Sequence, residues 1–391
     1  MSVIFISECC SLSVCDQKSF TNNQLHHCSF ALQSTGTIGE GSDGSVAEPA
    51  FQKIHLRNSL FEIKVPFLMD SEFSKYQREC VAVNDCKPSS NNPEKRKRKR
   101  ETNDNYFNLD KQNRFLSLIQ QTQFHWNSLS KDVPVCDNNV AARKIAKDFA
   151  DINVNLPYRE MFENSMDVAV LREHYGDQYI IPAKSRYCCS LLSDIDCLLT
   201  GTKYDLVVID PPWNNKSAKR LRTYDYVDER EFAKIPVARL AKPGCLICLW
   251  VTNNERLKSF AEYELFPSWG VKKIAEWMWM KVTMSGEPVF ALNSPHKKPY
   301  EVLLIGRIIS ENSGIEQQHS TIPVEKIVVS VPSAVHSHKP CLNDLMRPFL
   351  PPEANCLELF ARSLCANWTS WGLEVLKFQH SSLYEFGCDQ Q

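Results

Sequence analysis

The residues Asp210-Pro211-Pro212-Trp213 follow directly on the apolar run Val207-Val208-Ile209. An acid, two prolines and an indole at the end of a core strand suit binding better than packing. Each proline fixes its φ and lacks an N–H, and the second drives the first out of the helical region. The expected product is a stiff turn whose carbonyl oxygens can accept hydrogen bonds, beside a carboxylate and a flat aromatic face. In open α/β sheets, ligands sit beyond the carboxyl ends of the strands. Acceptors beside an aromatic face suit a planar ligand with an amino group, and a nucleobase with an exocyclic amine fits that description. Adenine's amine is a weak nucleophile because its lone pair delocalises into the ring. Acceptors on its hydrogens favour the charge that develops as the nitrogen attacks, and Asp210 could take the released proton. The bland alternative is a strand end capped by Asp with a packed Trp.

Basic residues lie close by. Lys216, Lys219, Arg220 and Arg222 follow the turn and are read as phosphate contacts around an exposed nucleotide, in preference to a solvated loop. His296, Lys297 and Lys298 are read as substrate contact or as surface. Tyr224 and Tyr226 could stack on a base or fill core.

These side chains need a sheet to hold them. Short apolar runs occur at 204–210, 245–251, 275–282, 300–307, 325–331, 355–360 and 373–378, alternating with helical or loop segments. Strands this apolar are buried on both faces, which predicts a parallel or mixed sheet covered by helices. The stretch 253–270 predicts a crossover helix, with Asn253 or Asn254 as N-cap and Gly270 beyond its end. Two further helices are expected at 114–132 and 138–157, the second with Asn138 or Asn139 as cap. The expected organisation is an irregular segment over 1–105, a helical accessory region over 106–180 and the sheet domain over 181–391. Within the first segment, 50–69 has the makings of a strand or two.

The totals bound the class. The chain has 391 residues, 43% hydrophobic and 23% charged, as in ordinary soluble domains. It has no run of about 18 apolar residues and no basic leader, so no membrane association or secretion is expected. Sixteen cysteines without zinc spacing are expected as reduced thiols, Cys245 and Cys248 among them, and no metal site is expected. A net charge of −1 confines any nucleic-acid binding to local patches. The unbroken basic run Lys95 to Arg100 is read either as a solvated linker or as a nuclear import signal.

Asp210 to Trp213 spell DPPW, the signature of the eukaryotic adenine-N6 methyltransferases of the MT-A70-like family, which this chain resembles over about 185–380. CLICLWVTN, EWMWMKV, HKKPYEVLLIGR, SHKP at 337–340 and LELFAR at 357–362 carry the resemblance onward. DPPWNNKSAKR, HKKPYE and NWTSWG at 367–372 look most like the methyltransferase-like protein 4 branch. The resemblance implies an α/β, Rossmann-like permuted (beta-class) methyltransferase domain using S-adenosyl-L-methionine, with DPPW preceding the cofactor segment. It implies methyl transfer to adenine N6 in nucleic acid. RNA is favoured, as 2′-O-methyladenosine of small nuclear RNA, with DNA adenine or a catalytically weak scaffold as alternatives. By motif, Asp210 would bind the target amine, Pro211 and Pro212 shape the pocket, and Trp213 help hold the base. Lys339 would meet the cofactor carboxylate, Asp210 would also be a cofactor contact, and Glu358, Arg362 and Glu374 would lie near its ribose and adenine, with Asn367 a further candidate. Leu373 departs from the family, which commonly has Asn there as a ribose contact. The chain is expected to be a monomer with a partner subunit left open, and its location the nucleus, with the cytoplasm left open.

Overall fold

The computed structural model describes residues 4–7, 13–14, 30–33, 51–67, 139–150, 152, 156–213, 228–284, 286–292, 294, 297–309 and 321–386. Nine strands of one sheet matter for the site. They are β1 (Met161–Glu163), β2 (Arg186–Cys188), β3 (Tyr204–Ile209), β4 (Ala241–Val251), β5 (Val271–Lys281), β6 (Tyr300–Ile308), β7 (Glu325–Ser330), β8 (Cys356–Leu359) and β9 (Trp368–Trp371). Their order across the sheet is β7-β5-β6-β4-β3-β8-β9-β2-β1. The central strands β4, β3, β8, β9 and β2 run parallel, as does β7 beside β5, whereas β6 is antiparallel to both its neighbours. Ile4–Ser7 pairs antiparallel with β7 and extends that edge. The result is the mixed α/β sheet that the apolar runs predict, in the Rossmann-like form that the resemblance implies.

Strand β3 is the switch point. The chain leaves it for β4 on one side and returns much later as β8 on the other, so the late strands β8 and β9 insert into the middle of the sheet. This is a permuted order, and it opens a crevice beyond the carboxyl ends of β3 and β8.

Side chains alternate across a strand, so parity assigns every residue to a layer. Val207, Ile209, Ile247, Leu249, Leu357 and Leu359 face one layer with Phe232, Leu257, Leu265 and Trp269. Leu206, Val208, Cys248, Trp250, Trp277, Trp279, Leu303 and Cys356 face the other with Leu345, Met346 and Phe349. The same alternation separates Cys245 from Cys248. The two buried thiols lie in opposite layers, which rules them out as a shared ligand pair. Burial pushes the Cys245 thiol up to about 12, as expected of an inert core group.

The predicted crossover helix is present as α2 (Glu255–Phe260), counting Val140–Ala150 as α1, and it runs on through a wider π turn at Ala261–Leu265 to Phe266–Ser268. Asn254 is its cap, accepting from the N–H groups of Arg256 and Leu257, and Gly270 ends it at φ +69°. Helix α1 occupies part of 138–157; the other predicted helix, 114–132, lies outside the described residues, as does the basic run at 95–100.

Two expectations fail. Residues 161–181, placed mostly in a helical accessory region, hold three strands and no helix. Here β1 joins the main sheet, and Val170–His174 pairs with Asp177–Ile181 as a hairpin. The run 373–378 is not a strand; Trp368–Trp371 takes that place between β8 and β2. Val375, Leu376 and Phe378 are buried all the same, in turns and a short 3₁₀ helix, Lys377–Gln379. A short apolar run reports burial and leaves the backbone undecided.

The early segment is partly ordered into the domain. Phe51–Leu56 pairs antiparallel with Tyr384–Phe386 near the other end of the chain. Beyond it, the Leu60 carbonyl accepts from Ala334 N–H at 2.6 Å, and the Ile63 carbonyl from Met284 N–H at 2.8 Å. Asn139, at φ +55° before α1, accepts from Lys64 and Val65 N–H and donates to the Val65 carbonyl at 2.6 Å. It therefore ties residues 64–65 to α1.

Candidate active site

Parity gathers the site. Asp210 continues the face of Leu206 and Val208, Glu358 that of Cys356, Trp250 that of Cys248, and Glu301 that of Leu303. All lie on one side of the sheet near the carboxyl ends of β3, β4 and β8. The loop after β7 then brings Lys339 over this face. Its Nζ stands 3.1 Å from Asp210 Oδ2 and 3.0 Å from Glu301 Oε2, with the lysine side chain only 13% exposed. Lys281 Nζ pairs with the other Glu301 oxygen and lies 4.5 Å over the Trp279 ring.

The four charges form a neutral chain, Asp210–Lys339–Glu301–Lys281. Burial works against the Lys339 charge, but Asp210 and Glu301 outweigh it and hold its pKa above the ordinary lysine value. Burial likewise opposes ionisation of Glu301, but Lys281 and Lys339 hold its pKa well below the usual carboxylate range. Glu358 differs: burial, with Cys341 and Asp210 beside it, pushes its carboxyl up to about 8. At neutral pH, one acid of the site is therefore ionised and another carries its proton.

An open cleft runs along this face. Asp210, Lys339, Glu358, Arg362, Trp250 and Phe360 line it, as do Leu56 and Phe61 of the early segment. Arg362 Nε pairs with Glu374 Oε2 at 3.2 Å, so Glu374 reaches the cleft through Arg362. His338 stacks on Phe378 at 4.0 Å, and burial holds its pKa down to about 4. Its Nδ1 has no hydrogen-bond partner among the described residues.

Two backbones at the rim are strained. Ser337 in SHKP and Phe360 after β8 have φ of +66° and +59°. Non-glycine residues rarely hold this conformation, and it costs of order 1–3 kcal/mol each. Gly372 permits a close approach: a Cβ there would lie 2.9 Å from the Ala361 carbonyl oxygen. It lets the end of β9 pass against the loop that carries Arg362.

The sequence reading of the turn needs two corrections. The Pro211 carbonyl accepts from Trp213 N–H at 2.7 Å, closing the turn on itself, so one of its two acceptor sites is already taken. The Trp213 ring is core. It is 5% exposed, donates from Nε1 to the Trp250 carbonyl at 2.7 Å and meets Phe232 edge to face at 5.5 Å. The turn sends this ring into the layer opposite the cleft, where it pins Asp210 to the end of β4. Pro211 is buried beside it and Pro212 half-buried. Among the four motif residues, only Asp210 lines the cleft.

Asn367 is also displaced from its expected place. It is exposed, precedes β9 at φ +66°, donates its N–H to the Ala183 carbonyl and does not line the cleft. Leu373 is 49% exposed. Lys216, Lys219, Arg220 and His296, together with Arg222, Tyr224 and Tyr226, lie outside the described residues. Sequence reasoning missed Glu301, Lys281 and His338. A signal existed for the first two: acid and lysine in strands that are otherwise apolar are buried only when paired.

A permuted Rossmann-like sheet with DPPW at the switch point defines a class, and the match to a known family agrees. Residues 204–374 match the MT-A70 family model, so the chain carries an MT-A70 domain, with the methyltransferase-type fold of that family. It is 43% identical over 241 residues to the N(6)-adenine-specific methyltransferase METTL4 of Mus musculus, an alignment covering 59% of this chain and 50% of that protein, and the similarity supports the METTL4 branch. The chain thus spans about half the length of that relative. It is 33% identical over 217 residues to the N6-methyladenosine RNA methyltransferase MTA1 of Pyricularia oryzae, covering 52% of this chain and 56% of that one. It is also 28% identical over 368 residues to a DNA N6-methyl methyltransferase of Caenorhabditis elegans, covering 86% of this chain and 94% of that one.

Proposed function

We propose that this chain transfers a methyl group from S-adenosyl-L-methionine to the N6 amine of adenine in nucleic acid. One observation carries the reading: a cation able to take a carboxylate, Lys339, lies 3.1 Å from Asp210, the carboxylate able to accept an amine hydrogen. A methionine-type carboxylate and an adenine amine would thereby be brought to one corner.

The cleft suits the cofactor. It offers Lys339 for a carboxylate, and Glu358, Arg362 and His338 Nδ1, which has no hydrogen-bond partner among the described residues, for polar groups, between aromatic walls. When bound, S-adenosylmethionine supplies an electrophilic methyl group on a sulfonium. The rest falls to the chain's own residues. Asp210 accepts a hydrogen of the target amine, orients its lone pair and takes the proton afterwards, directly or through water. The Trp213 latch and the closed Pro-Pro turn hold that carboxylate still, and positioning of this kind accounts for most of the rate in an in-line displacement.

RNA is the favoured substrate, with support from the fungal relatives named as RNA methyltransferases. The finer reading, 2′-O-methyladenosine of small nuclear RNA in the nucleus, rests on the branch resemblance. DNA adenine is a second reading, favoured by the relative from Caenorhabditis elegans, which aligns over most of the chain. Labelled-methyl transfer to matched RNA and DNA oligonucleotides, with and without a 2′-O-methyl group, separates the two. The expected result is fastest transfer to 2′-O-methylated RNA, lost in Asp210→Ala. Equal rates on all four remove the RNA preference, and no transfer to any of them removes the reading.

A further inference from the structure

Glu301 sits at the head of β6, in register with Trp279 of β5, and does not line the cleft. It nevertheless touches both lysines of the site. One oxygen takes Lys281 and the other takes Lys339 at 3.0 Å, while Lys339 reaches Asp210 from the opposite side. An ammonium has three donors and a carboxylate about four acceptor sites. Without Glu301, the lysine would have Asp210 as its one carboxylate partner among the described residues and would close on the group needed for the amine. With Glu301 behind it, the lysine is held in a fork and its charge is divided.

We infer that Glu301, anchored by Lys281, is a positioning residue that fixes Lys339 between two carboxylates, so that Asp210 keeps acceptor capacity for the incoming amine. The inference deepens the proposed function and rests on it for the identity of that amine. Other groups feel the Lys339 charge. Arg362, from the loop after β8, opposes it, Glu358 of β8 faces it, and His336 and His338 flank it in its own loop. Asp210 and Glu301 are the groups that raise the lysine's proton affinity.

The sign follows. Replacing Glu301 by a neutral isostere lowers the pH at which Lys339 loses its proton. Any activity that needs the ammonium then fails at lower pH on the alkaline side.

The test uses the full chain and three readouts: the pH dependence of Lys339 labelling by an amine-reactive acylating reagent, read by mass spectrometry; S-adenosylhomocysteine affinity; and the pH profile of methyl transfer. In Glu301→Gln, the Lys339 labelling midpoint is expected to fall by about one pH unit, a tenfold change in proton affinity. The alkaline limb of kcat is expected to move with it, and kcat to drop about tenfold while KM for the oligonucleotide stays within about threefold. Glu301→Asp should recover part of the loss. Lys281→Met removes a cation and leaves the Glu301 charge to Lys339, so its midpoint is expected to rise slightly, and Glu301→Asp, whose carboxylate is drawn back by one methylene and should lower the midpoint by less than Glu301→Gln, provides the test if Glu301→Gln does not fold. An unmoved midpoint overturns the inference, as does a shifted midpoint with wild-type turnover. If the unaltered chain methylates no oligonucleotide while the midpoint still falls in Glu301→Gln, the proposed function fails and the positioning of Lys339 by Glu301 stands.

Discussion

Asp210 and Glu358 are carboxyls on one face of adjacent strands, yet their surroundings separate them. Asp210 has Lys339 at 3.1 Å, whereas burial pushes Glu358 up to about 8. Asp210→Asn keeps the shape and removes the base, so methyl transfer should fall about a hundredfold or more, the ordinary range for a lost proton acceptor. S-adenosylhomocysteine binding, followed by calorimetry, should persist in that variant. Lys339→Met should do the reverse at low cofactor concentration, weakening that binding, because a carboxylate would lose its cation. Glu358 makes a prediction about stability. Its folded-state pKa lies above the ordinary carboxylate value, so the folded protein binds this proton more tightly than the unfolded chain. Stability from this group is full below the ordinary value and declines as pH rises from there to about 8. Thermal unfolding of Glu358→Gln across that window should show a flatter pH dependence and a higher midpoint at its upper end.

Elements position these residues by devices of different legibility. The β3 run, the Asn254 cap and the stop at Gly270 depend on neighbours in sequence, and all three were readable there. The use of Trp213 was not, because an indole after two prolines can turn toward either face. The structure commits it to the Trp250 carbonyl. Trp213→Phe keeps an aromatic ring but removes the indole donor and part of the buried volume, which should cost about 1–3 kcal/mol in urea unfolding. It should also lower methyl transfer, since the same latch holds Asp210. Gly372 is a second such device. Gly372→Ala drives a methyl into the Ala361 backbone and should destabilise by about 1–3 kcal/mol, read as a lower midpoint of chemical unfolding.

At the scale of the whole molecule, residues 51–67 are a wall of the cleft, although they stand far from DPPW in sequence. Leu56, Leu60 and Ile63 are buried, and Leu56 packs with Phe378 and Tyr384. Fully burying one such side chain contributes about 1.5–3 kcal/mol. Removal of residues 1–67 should therefore lower the thermal midpoint and weaken S-adenosylhomocysteine binding together. A shortened chain that retains both would show the segment to be dispensable. The MT-A70 match covers 204–374 and leaves this wall out, whereas the alignment with the Caenorhabditis elegans relative spans most of the chain.

Taken alone, the sequence determined the strands β3 to β8, the capped helix and the acid at the switch point. These follow from short apolar runs, proline stereochemistry and capping, which act over a few residues. Tertiary structure alone decided that Lys339 pairs with both Asp210 and Glu301, that Trp213 turns away from the cleft, that 368–371 and not 373–378 supplies the strand beside β8, and that residues 56–61 close the cleft. The reason is physical. A buried charge takes whatever opposite charge the packing brings near, and an apolar run takes whatever backbone its neighbours leave room for. Neither partner is encoded next to the residue that needs it.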